Sequence, residues 1–154
     1  MVEFALVAPL LFVLIFGTID FGRAFHYWNV TQQMANDGAR LAAVNSSVPS
    51  SFTCPTSTSL TFQCYLQSQA DTSELSSGGS SWLTKGAKVC ITFPSSSTTP
   101  LVGDPVQVQI TASYNWLPVD WYFSSSPPTT TTIAGTATMR LEAIPSYSAG
   151  CYQP

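Results

Sequence analysis

The chain predicts an α+β fold, a long N-terminal helix packed on a small antiparallel β-sheet head. Three observations carry this expectation. Residues 1–46 contain a single proline and open on Phe4 to Ile19, a stretch without any charge. Residues 47–154 hold three β-rich runs separated by Ser/Thr/Pro/Gly clusters. All four cysteines lie in that second part. The predicted division is therefore a helix over 1–46, apolar over 1–24, and a disulfide-bonded β-rich head over 47–154.

The helix comes first. Phe4 to Ile19 covers roughly 24 Å at about 1.5 Å per residue, a little short of the roughly 30 Å hydrocarbon core of a bilayer. No Lys or Arg precedes Arg23, so the basic n-region of a secretory signal is missing. The acids Glu3 and Asp20 bracket the run. An acid at the start of a membrane span is costly unless paired. Glu3 is therefore expected to pair with the N-terminal amine of a neighbouring copy and set the register of an assembly. Two such charges about 4 Å apart attract by about 4 kcal/mol at an effective dielectric of about 20. Pro9 removes one helical hydrogen bond and is a candidate kink. Gly17 and Gly22 are candidate notches for close helix packing. Further along, Ala35, Ala39 and Ala43 recur at helical spacing, with Gly38 and Ala42 beside them. This small-residue stripe is expected to meet the head, and Phe21, Phe25 and Trp28 to prolong it toward the apolar half. His26, next to Tyr27 and Trp28, reads as part of an interfacial aromatic belt.

The head follows. Val106 to Tyr114 alternates apolar with polar residues at a strict period of two, the pattern of a half-buried strand. Ala87 to Phe93 is β-rich, and Thr131 to Leu141 alternates more loosely, with Ile133, Gly135, Ala137, Met139 and Leu141 on one face. The stretches 45–61, 73–81, 94–100 and 124–132 read as exposed loops. Four cysteines in an exported domain imply two disulfides, and three pairings are available. Cys54–Cys64, a short clip, with Cys90–Cys151, a tie from the C-terminal tail to a strand, is the preferred pairing. Each bridge contributes roughly 2–4 kcal/mol. The aromatic-dense segment 116–123 is expected to be an adhesive surface, a subunit interface or a loop folded onto the core, with the last two favoured.

Composition narrows the function. Only 8 % of residues are charged, against about 25 % in typical globular chains. The five basic residues are scattered, so no nucleic-acid footprint is predicted. No nucleophile elbow, zinc-protease, P-loop or dinucleotide motif occurs, and the single histidine lacks a partner in register. No catalytic, cofactor or metal site is expected.

The run VEFALVAPLLFVLIFGTIDFGRAF, followed by Asn29, Ala35, Asn36, Gly38, Ala39, Arg40 and Ala42, resembles the N-terminal signature of TadE-like proteins. These are pilins and pseudopilins of tight-adherence, type IVb-related pili. The likeness covers Val2 to Val44 and returns weakly in Val106, Val108, Ile110 and residues 136–142. It implies a pilin-like fold and a structural subunit that polymerises through its apolar helix into an extracellular filament. It implies residence in the cytoplasmic membrane before assembly, with an assembly platform and a prepilin peptidase as partners. It also leaves a minor pseudopilin that primes or tips the filament as an alternative, beside a single-pass anchored binding domain. In the family the glutamate stands fifth after leader cleavage. Here it is third, so either two further residues stand upstream, which is the expectation, or processing differs.

Overall fold

The computed structural model describes residues 2–54, 60–95, 100–116 and 130–154, with side chains for all of these except Val2, Glu3, Ala5 and Leu6. Helix α1 (Val2–Ala43) is 42 residues long, about 63 Å at 1.5 Å per residue, and runs through Pro9 without a break. Its end has a local cause. Asn45 adopts a left-handed φ of 50°. The amide of Asn45 donates to the Ala42 carbonyl and that of Ser46 to the Leu41 carbonyl, the paired bonds of a Schellman motif with asparagine where glycine is usual. Arg40 in the last turn complements the negative end of the helix dipole.

Two short helices, α2 (Thr61–Ser68) and α3 (Ser73–Ser77), lead into strands β1 (Lys88–Thr92), β2 (Pro105–Asn115), β3 (Thr130–Arg140) and β4 (Gly150–Tyr152). The strands form one antiparallel sheet in the order β3-β2-β1-β4. The register puts Val89, Ile110 and Gly135 in one row and Ile91, Val108 and Ala137 in another. These rows face α1. The core joins Val106, Val108 and Ile110 to Ala35, Ala39 and Ala42, all fully buried. Small side chains on α1 let helix and sheet approach closely, and Gly38 and Gly135 mark the tightest points. A Cβ on Gly38 would sit 3.3 Å from both Leu66 and Val108 side chains. A Cβ on Gly135 would collide with the backbone carbonyl of Thr31 and lie 2.7 Å from the Gln32 nitrogen.

The α+β arrangement read from the sequence is the one observed, but the helix face was misplaced below Ala35. Phe21, Phe25 and Trp28 do not prolong the buried stripe, being 65, 50 and 45 % exposed. The buried line is Asp20, Ala24, Tyr27, Thr31 and Ala35. Each helical residue turns about 100° from the last, so Phe21 stands about a quarter-turn round from Asp20, off the sheet. Tyr27 is buried against Tyr114, ring centroids 5.7 Å apart, and is no part of a surface belt; His26 and Trp28 are exposed.

Within the stretch expected as loop over 73–81, Ser73–Ser77 is helical. The Thr72 hydroxyl caps it by accepting from the Leu75 amide, and Leu75 is fully buried beneath it. Helix α2 is anchored by Phe62 and Leu66. Strand β4 is held by pairing with β1 and by the Cys90–Cys151 disulfide, whose Cα atoms are 4.0 Å apart. Cys54 is bonded to Cys64, the latter inside α2. The expected interface segment 116–123 lies outside the described residues except for Trp116. That indole donates to the Thr131 hydroxyl at 2.7 Å and meets Tyr114 edge-on.

Candidate assembly surface

Before Asp20, all the described side chains of α1 except Ala8 are exposed. Among its described side chains every large apolar residue from Phe4 to Ile19 is exposed, from 44 % at Ile15 to 78 % at Phe4. The helix is long and apolar enough to cross a membrane. A helix apolar on all sides is covered by lipid or by other helices. Among the described residues Gly17 and Gly22 have nothing within 4 Å of an added Cβ, so no described part of the head packs against them. The side chain of Glu3 lies outside those described, and its pairing is not placed by the fold.

Head contact begins abruptly at Asp20. That residue is 6 % exposed at the foot of the sheet. The Tyr114 hydroxyl donates to the Asp20 carboxylate and also to its backbone carbonyl at 3.2 Å. Tyr114 is itself fully buried, between Tyr27, Trp82 and Trp116. Burial first, and then the bond to Asp20, push its phenol well above the usual tyrosine range. Three residues on, the Arg23 guanidinium lies 4.7 Å above the Trp82 ring, a cation–π contact. The Asp20–Arg23 turn is thus clamped to β2 and to the 78–85 loop, at the boundary between apolar rod and head. Asp20 was read from the sequence only as the end of the uncharged run. Its partner, 94 residues away, was legible only as the last inward position of β2.

At the far end of α1, Tyr147 closes the head. Its hydroxyl donates to the Ala42 carbonyl at 2.7 Å, and its ring stacks on Phe62 at 4.5 Å. Burial pushes its phenol up to about 12. A tyrosine whose folded pKa is raised contributes stability that is complete below the unfolded value of about 10 and is lost as pH rises through the folded one. The head should therefore lose stability between about pH 10 and 12, and Tyr147→Phe should flatten that decline; thermal melts followed by circular dichroism across this range check it. A decline of unchanged slope in the variant would remove Tyr147 as its cause.

Among the described residues no group of three or more His, Cys, Asp or Glu side chains gathers as a metal site. Among the described residues, a recess of about 240 Å³ between α1 and α2 is lined by Met34, Asp37, Tyr65 and Gln69 among others.

Compared with known proteins, residues 1–40 match the family model described as TadE-like protein. The resemblance read from the sequence is thereby shown over nearly all of α1. No curated protein and no solved structure matches the chain. The match and the apolar helix fit a membrane-anchored, Tad pilus-related protein of a structural, non-enzymatic family.

Proposed function

We propose that the chain is a structural, non-catalytic subunit of an extracellular Tad-type pilus, held in the cytoplasmic membrane by the first half of α1 until assembly. The observation that carries this reading is the rod of exposed apolar side chains from Phe4 to Ile19 on a helix that matches the TadE-like model. Extracting such a rod from lipid into water is prohibitive, at about 25 cal/mol per Å² of apolar surface. Copies packed side by side by a repeated heterologous contact would cover it and generate an open filament. On this reading residues 1–46 supply core and anchor, and 47–154 supply the outer surface. Partners are further copies, the membrane, an assembly platform and a prepilin peptidase. Pro9 loosens the rod for extraction, and Gly17 and Gly22 let neighbouring rods approach.

Electron microscopy of material sheared from cells, with mass spectrometry of the intact subunit, tests the reading. Filaments made mainly of this chain are the expected result. Traces of the chain in filaments built from another subunit would indicate a minor priming or tip pseudopilin. The chain confined to membranes would indicate an anchored binding domain. Glu3 adds a sharper prediction: Glu3→Ala should leave the protein in the membrane at normal abundance and reduce polymer at least tenfold. Normal filaments from that variant would remove Glu3 as a register device.

A further inference from the structure

The face of the sheet turned away from α1 has an unusual makeup. On β3 the outward positions are Thr130, Thr132, Ala134, Thr136, Thr138 and Arg140, all exposed. The register sets Gln109 beside Thr136, Thr111 beside Ala134 and Gln107 beside Thr138. Lys88 continues the Thr111 row on β1. Hydroxyls and amides therefore recur at alternate positions of β2 and β3, about 6.8 Å apart along the strand and broken by Ala134, with strands about 4.8 Å apart; on β1 and β4 the Cys90–Cys151 disulfide continues the Gln109 row. The chain carries eight acids and five bases, yet no outward position of the four strands is acidic, and Lys88 and Arg140 both stand there. The nearest acids along the chain, Asp104 and Glu142, lie beyond the strand ends, and the Asp104 carboxylate accepts from the Leu101 amide.

We propose that this face binds an extended, carboxylate-bearing polysaccharide. Each threonine hydroxyl donates and accepts, and each glutamine amide does both, which suits a polymer whose units present hydroxyls at every step. Lys88 and Arg140, the latter also donating to the Gly103 carbonyl at 3.3 Å, have no acid between them among the described residues and favour carboxylates over a neutral chain. A second protein copy is disfavoured because, among the described residues, the face offers no aromatic or large aliphatic anchor of the kind that dominates protein interfaces. A lipid surface or nucleic acid is disfavoured because two separated cations fall short of the clusters those partners need. One such face binds weakly. The filament reading, on which only this last step rests, repeats it along a polymer and supplies avidity.

The test uses the full chain in detergent, displayed densely on beads, so it needs no filament. Retention of soluble alginate is expected to exceed retention of dextran at least tenfold. Thr132→Val, Thr136→Val and Thr138→Val together keep β-branched side chains while deleting hydroxyls, and should cut alginate retention at least tenfold with the melting curve unchanged. Lys88→Gln with Arg140→Gln, which touches no threonine, should weaken retention and reduce its salt sensitivity. Equal retention by wild type and both variants, no retention at all, or equal capture of polyglutamate would overturn the proposal. Each of those outcomes would leave the filament reading standing. Absence of filaments from cells with intact alginate binding would do the reverse.

Discussion

Gly135→Val should be among the most damaging single substitutions in the head, costing at or above the top of the about 1–3 kcal/mol usual for overpacking. The reason is what the new Cβ would meet. Its nearest atoms are the carbonyl carbon and oxygen of Thr31 and the nitrogen of Gln32. These are helix backbone, which cannot rotate aside as a side chain can. Either α1 lifts from β3 or β3 leaves its register with β2, and both open the packing of Ala35 and Ala39 on the sheet. The backbone of Gly135 does not need glycine for its own conformation, since its φ is outside the left-handed region. The effect is therefore steric, and Gly135→Ala should already show much of it. Gly22 provides the contrast. With open space around its Cα, Gly22→Ala should raise monomer stability by up to about 1 kcal/mol through helix propensity. If it is a notch between copies, the same change should reduce assembly. Denaturant unfolding of the detergent-solubilised chain, read by tryptophan fluorescence, separates the two. A Gly135→Val midpoint equal to wild type would show that α1 does not approach β3 as closely as described.

The sequence made some of this legible, and the limits have physical causes. Strand β2 could be read because one of its faces is buried and the other wet, so every residue from Val106 to Tyr114 reports its side. Strand β3 matches its expected run for the same reason; β1 was legible from its β-rich residues instead, since Val89, Cys90 and Ile91 are all buried. Strand β4 has three residues, too few for any period, and is held by a disulfide and by its neighbour β1. Helix α2 has eight, barely two turns. Phe21, Phe25 and Trp28 were read as core because an apolar stripe looks the same whether it faces its own head or another molecule. The sheet chose the adjacent line instead, the one bearing Ala24, Thr31 and Ala35, because small side chains let backbone approach backbone. The Asp20–Tyr114 clamp was illegible for a related reason: a charge ending an apolar run ordinarily means water, and only the fold shows that it ends beneath a strand. A tyrosine on the apolar parity of β2 was the one signal that a polar partner waited there.

That clamp carries the second large effect. Tyr114→Phe keeps the ring and its contacts with Tyr27, Trp82 and Trp116 but removes the hydroxyl that donates to Asp20. Asp20 is left buried with one charge-assisted bond fewer, and such losses cost about 1.5–3 kcal/mol. If the cost arises from this bond, it must shrink when Asp20 is changed first. In an Asp20→Ala background, Tyr114→Phe should therefore cost less by a coupling of about 0.5–3 kcal/mol, the range for residues in direct contact. Equal costs in both backgrounds would show that the hydroxyl acts elsewhere. The clamp also fixes where the rod leaves the head, so its loss should be visible locally. Amide exchange over residues 20–27 should accelerate in Tyr114→Phe, while exchange near Ala39 and Ala42, held by the core of the sheet, stays close to wild type. A rod no longer held at its root presents the head at variable angles, and regular packing of copies needs one angle. On the filament reading, yield of filaments should then fall more steeply than monomer stability, a difference that separates a positioning role for Asp20 and Tyr114 from a purely stabilising one.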